Sequence, residues 1–197
     1  MSCILGDKKP SSGQVLIDGK AGKAKNKIAV LLQENTIPNS LKVEELIAFF
    51  QSISDNPLTN QEVQELLQFK EDQYQQFADK LSGGQRRLLA FVLCLIDKPK
   101  ILFLDEPTAG MDTSTRQRFW EIVNNLKKAG TTILYSSHYI EEVEHTADRI
   151  LVLHRGKLIR DTTPYAMRHE EKEKQVTLPS SFVNIVHGLP DIYEITE

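Results

Sequence analysis

A chain of 197 residues, 40% hydrophobic and 26% charged, has the make-up of one globular domain with room for an appended tail. Its formal charge of -3 argues against a general nucleic-acid binder. Cys3 and Cys94 give neither a zinc pattern nor a disulfide framework, the longest apolar run (88–96) is too short to cross a bilayer, and the first residues lack a signal peptide's basic and apolar regions, so a cytoplasmic chain is expected.

In chain order, residues 14–17 read as a strand closed by the turn signal Asp18-Gly19. Residues 27–32 form a short apolar run, a buried strand ending at Gln33. From 41 to 69 the pattern turns helical: Leu46, Ile47 and Phe50 share one face and Val63, Leu66 and Leu67 another, with a break at Asn56-Pro57. Gln51 and Gln64 read as exposed positions of this segment. Leu88, Leu89, Val92, Leu95 and Ile96 make a clear helical stripe, and residues 100–104 are a buried strand. Phe119, Ile122, Val123 and Leu126 mark the next helix, ended by Gly130. Residues 131–135 and 149–153 are further strands, and Arg155-Gly156 turns the chain into 157–160. Strands joined by helices predict an α/β fold with a mainly parallel sheet. Beyond Pro164 the signal fades, and the charge run 170–174 reads as a solvated helix end or linker.

Two stretches carry chemistry. Leu81-Ser82-Gly83-Gly84-Gln85 opens the strongest helix, and Ser82 and Gln85 have the spacing of a capping box. A well-capped helix start accounts for these residues; so does an anion site, since two glycines let backbone N–H groups approach a negative charge at the positive end of a helix. Ile101-Leu102-Phe103-Leu104-Asp105-Glu106 is a buried apolar strand followed by two acids. Carboxylates at the carboxyl end of such a strand sit where open α/β sheets bind ligands. One could hold Mg2+ through water while its neighbour orients or deprotonates an attacking water.

These motifs resemble those of the ATP-binding cassette (ABC) family. Residues 81–85 resemble its signature motif and 101–106 its Walker B strand; Gly110-Met111-Asp112 is similar to the D-loop, Ser137-His138 to the H-loop, and Gln33 falls at the Q-loop. The resemblance covers roughly residues 1–163. It implies a P-loop NTPase (RecA-like) parallel-sheet core at 1–33 and 99–163, a helical subdomain at 34–98, and a tail at 164–197. It further implies that Asp105 binds Mg2+ through water, Glu106 is the general base, His138 contacts the γ-phosphate, and Gln33 senses that phosphate near the metal. Ser82, Gly83, Gly84 and Gln85 would reach an ATP held by the opposite cassette, and Asp112 would communicate across that pair. The expected working unit is a homodimer or paired cassette, peripheral on the inner face of the cell membrane. There it couples ATP hydrolysis to transport through a separate permease gripped by the helical segment. The wording around the motifs is similar to bacterial exporters of the ABC-2 or multidrug kind, and no nucleic-acid partner is expected.

One departure stands out. The phosphate cradle of the family, G-x-x-x-x-G-K-[ST], occurs nowhere in the chain. In the family it would lie just before Met1, and residues 2–6 read as the last turns of the helix that follows it. That leads us to expect an incomplete core and little ATP hydrolysis by this chain alone. Two alternatives stay open: a soluble ABC ATPase of DNA repair or translation, and a catalytically inactive cassette. The stretch 34–80 has no heptads or zinc-binding cysteines, which favours the transporter reading.

Overall fold

The computed structural model describes residues 2–17, 19–21, 28–33, 37–38 and 40–170. Its elements are α1 (Ser2–Leu5), β1 (Leu16–Ile17), β2 (Lys20–Ala21), β3 (Ile28–Leu31), α2 (Val43–Ser52), α3 (Asn60–Leu67), α4 (Glu71–Tyr74), α5 (Gly83–Leu95), β4 (Ile101–Asp105), α6 (Thr113–Lys128), β5 (Thr132–Ser136), α7 (Ile140–Thr146), β6 (Ile150–His154), β7 (Lys157–Thr162) and α8 (Pro164–Glu170). The chain divides into two units, Met1–Tyr139 and Ile140–Glu197.

In the first unit β3, β4 and β5 form a parallel sheet with β4 in the centre. Parallel neighbours need crossover connections, which here carry the helices. Leu102, Phe103 and Leu104 are all buried, so β4 is covered on both faces, as parallel strands require. Leu31 packs into the core formed with α2, α3, α5 and α6. Phe91 and Phe119 are fully buried with ring centroids 4.4 Å apart, joining α5 to α6.

The helices begin and end where local chemistry dictates. Thr59 caps α3 by accepting from the Glu62 amide while Glu62 Oε2 accepts from the Thr59 amide, a reciprocal box that satisfies orphan N–H groups. α3 ends at Gln68 in the left-handed region, φ 52°. α6 ends before Gly130, φ 92°, whose amide returns to the Lys127 carbonyl.

Some expectations are revised. Of the strand read at 14–17 only Leu16–Ile17 forms, in an antiparallel hairpin with β2; Asp18 of the turn signal lies outside the described residues. Gln51 is not a free surface position: its Nε2 donates to the Leu58 carbonyl and to Asn60 Oδ1, both at 2.9 Å, tying α2 to the start of α3. Gln64 is exposed as expected. In the second unit β6 and β7 pair antiparallel across Arg155 and Gly156, φ 47° and 75°. Two successive positive φ values give the turn whose twist suits a tight hairpin. Residues 171–174 of the charge run lie outside the described residues.

Candidate functional site

The site grows from the carboxyl ends of β4 and β5, where the register sets Asp105 opposite Ser136. Ser136 Oγ donates to Asp105 Oδ1 at 2.5 Å and accepts from the Glu106 amide at 3.0 Å. One hydroxyl thus holds one acid by its side chain and the next by its backbone. Glu106 then leaves the strand with φ 45°, and the turn closes as the Ala109 amide donates to the Glu106 carbonyl at 3.2 Å. This backbone turn aims the two adjacent acids differently. Glu106 Oε2 lies 2.7 Å from His138 Nδ1. The His138 ring lies against Tyr139, centroids 4.1 Å apart, and the Arg116 guanidinium stands 5.2 Å from the centre of the Tyr139 ring. The imidazole is more than half exposed while the carboxylate is mostly covered, so the pair faces solvent on the histidine side.

A second group sits at the start of α5. The Gln85 amide donates to Ser82 Oγ at 3.2 Å and the Ser82 amide to Gln85 Oε1 at 3.1 Å, the capping box read from the spacing. Ser82 and Gly83 are exposed and Gly84 is buried. Gly84 abuts the loop that carries Asp112: a β-carbon there would stand 3.4 Å from Met111 Cα. Asp112 caps α6, accepting from the Thr115 amide at 3.0 Å and from its hydroxyl at 2.7 Å. The Thr115 amide and then its hydroxyl hold the Asp112 carboxyl below the usual carboxylate range.

Asp105, Glu106 and His138 are therefore brought together directly. Gln33 joins them through its backbone: its carbonyl accepts from Arg87, whose guanidinium also binds the carbonyls of Asp105 and Glu106. Gly84 meets Asp112, and Ser82 and Gln85 engage each other beside it. Sequence reasoning missed Ser136, Arg87, Tyr139 and Arg116. Arg87 carried a signal, because it falls between Gly84 and Phe91 at helical spacing, on a buried face. Ser136 carried none, since its partner is set by strand register.

The two carboxylates of Asp105 and Glu106 and the Ser136 hydroxyl bring side-chain oxygens to this edge, the donor type that suits a hard cation. Among the described residues no group of three or more His, Cys, Asp and Glu side chains is placed to hold a metal by itself. Among the described residues no helix is long and apolar enough to cross a membrane.

This parallel α/β fold is shared with solved ABC ATPase domains. A solved ATP-binding subunit of an ABC transporter superposes with a TM-score of 0.72 at 23% identity, covering 86% of this chain and 75% of that one. The chain belongs to the ABC transporter family, whose sequence profile matches residues 1–109. It is 30% identical over 190 residues to the probable multidrug ABC transporter ATP-binding protein YbhF of Escherichia coli K12, covering 90% of this chain and 33% of that protein. It is 31% identical over 180 residues to the Nod factor export ATP-binding protein I of Burkholderia lata, covering 87% of this chain and 59% of that one. The chain thus spans between a third and three fifths of the length of these relatives.

Proposed function

We propose that this chain serves as the ATP-binding and ATP-hydrolysing part of an ABC exporter, working on the inner face of the membrane with a separate permease and a second cassette. The observation that carries the reading is the Glu106–His138 pair, 2.7 Å apart at the edge where Asp105 also emerges. Glu106 is the general base, and His138 orients its carboxylate and reaches for the terminal phosphate. Asp105, held by Ser136, takes Mg2+ through water, and Gln33 lies on the same side as the phosphate sensor. Bound ATP with Mg2+ supplies the phosphoryl group and the charge that draws the attacking water. Ser82, Gly83, Gly84 and Gln85 present a helix start to the nucleotide of the opposite cassette, where the backbone donors and the dipole favour phosphate. Asp112, beside Gly84, relays the state of that junction. The names of the multidrug and Nod factor export relatives support the direction of transport.

The residues present fit the water-activating and signature parts of the site. The phosphate cradle G-x-x-x-x-G-K-[ST] is not among them. The chain alone is therefore expected to release phosphate from Mg-ATP at a negligible rate. Extended at its amino end with a relative's phosphate-binding loop, it should hydrolyse ATP, and Glu106→Gln should lower that rate by at least about a hundredfold while leaving ATP binding intact. Glutamine keeps the size of the side chain and can still hold a water, but cannot take its proton. Near-normal hydrolysis by the extended Glu106→Gln chain would remove Glu106 from the role of base.

A further inference from the structure

Arg87 is buried on α5, one turn beyond the signature glycines. Its Nε donates to the Pro107 carbonyl at 3.2 Å. Its Nη1 donates to the carbonyls of Leu32 and, at 2.9 Å, Gln33. Its Nη2 donates to the carbonyls of Asp105 at 2.8 Å and Glu106 at 3.3 Å. A guanidinium has five N–H donors in a fixed plane, and here each has a carbonyl of its own. The acceptors lie at or just past the ends of β3 and β4, beyond the last pair of the β3–β4 ladder, Leu31 with Leu104. Burial draws the Arg87 guanidinium below its ordinary range, and Cys94 and then Asp105 offset part of that. Among the described residues its partners are all main-chain carbonyls, so this cation is held by the backbone it organises.

We propose that Arg87 is a positioning residue that locks the Gln33 loop and the Asp105–Glu106 loop into one frame carried by the signature helix. A shift of α5 at its Ser82 end is then passed to both loops through a single side chain. Lysine cannot stand in, because its three donors on one nitrogen cannot meet acceptors spread around a planar fork. The functional weight of this lock rests on the proposed roles of Gln33 and Glu106. Its existence does not, and it can be tested without any ATPase assay.

The test is amide hydrogen exchange by NMR on the full chain, comparing wild type with Arg87→Lys and Arg87→Met. The reporters are the Glu106 amide, bonded to Ser136 Oγ, and the Ala109 amide, bonded to the Glu106 carbonyl. The controls are the Val63 and Gln68 amides of α3, bonded to the Thr59 and Gln64 carbonyls. Both variants should speed exchange at the reporters by at least about tenfold and leave the controls within about twofold. Unchanged reporters, an equal rise at the controls, or full protection restored by lysine would each overturn the proposal. Should a variant not fold, the wild-type spectrum still decides: a locked guanidinium gives four separate Hη resonances for Arg87, and one averaged signal would sink the idea.

Discussion

Gly84 at the start of α5 lies so close to Asp112 that a β-carbon on it would stand 3.2 Å from Asp112 Oδ2, whereas a β-carbon on Gly83 would meet nothing within 4 Å. Two neighbouring glycines of one motif are therefore there for different reasons. Gly83→Ala should stabilise the chain by a few tenths of a kcal/mol, part of the gain of about 1 kcal/mol that alanine has over glycine in a helix interior, since Gly83 is the first residue of α5. Gly84→Ala should forfeit that gain, because Asp112 must give by a few tenths of an ångström. Urea unfolding of the two variants side by side reads the difference; an equal gain for both would show that the Asp112 loop yields freely.

The pairing of Asp112 with Thr115 sets a pH dependence. The Asp112 carboxyl ionises below its ordinary range in the folded chain, so its stabilising contribution is complete above the unfolded value of about 3.9 and is lost as pH falls through the lower folded value. Thr115→Val removes the hydroxyl and leaves the amide, which is the larger cause. An NMR titration of the Asp112 carboxyl should then move part of the way back up, and acid unfolding should begin at slightly higher pH.

Phe119 joins α5 to α6 with no exposure of its own, its ring 4.4 Å from that of Phe91 and 5.2 Å from that of Trp120. Phe119→Ala should cost about 3–5 kcal/mol by lost burial and the cavity left behind. Denaturant curves followed by fluorescence of Trp120, the chain's one tryptophan, would show both the loss and a changed starting signal.

The two cysteines should separate cleanly in reactivity. Burial pushes the Cys94 thiol up to about 11, and its Sγ reaches the Val30 carbonyl at 3.5 Å, while Cys3 is exposed. At pH 8 a thiol reagent should label Cys3 promptly and Cys94 only after unfolding, since the thiolate is the reacting form. Mass spectrometry of a brief labelling reaction checks it.

Much of this was legible in the residues, and the reason lies in period and spacing. The stripe Leu88, Leu89, Val92, Leu95, Ile96 has helical period, and all five are buried. The apolar run before Asp105 is long enough for a core strand and too short for a helix. Ser82 and Gln85 show a capping box because that bond is local. What could not be read is whatever depends on elements meeting across the fold. Ser136 acts on Asp105 through strand register, and Arg87 acts through carbonyls far away in sequence. Gln51 looked like a surface residue because its partners lie in the following connection and helix start, beyond the reach of a single helix pattern.

Glu106 occupies the left-handed region at φ 45°, where a residue with a β-carbon is held at a cost of roughly 1–2 kcal/mol and glycine rests easily. The backbone and the chemistry thus ask for different amino acids at one position. A sequence redesigned for thermal stability alone would be drawn to glycine there, and would shed the carboxylate that faces His138 before most other residues of the site. Variant libraries of this chain ranked only by melting temperature will accordingly favour folds that have lost this carboxylate. Any campaign to harden the protein must keep Glu106 outside the positions it is free to change.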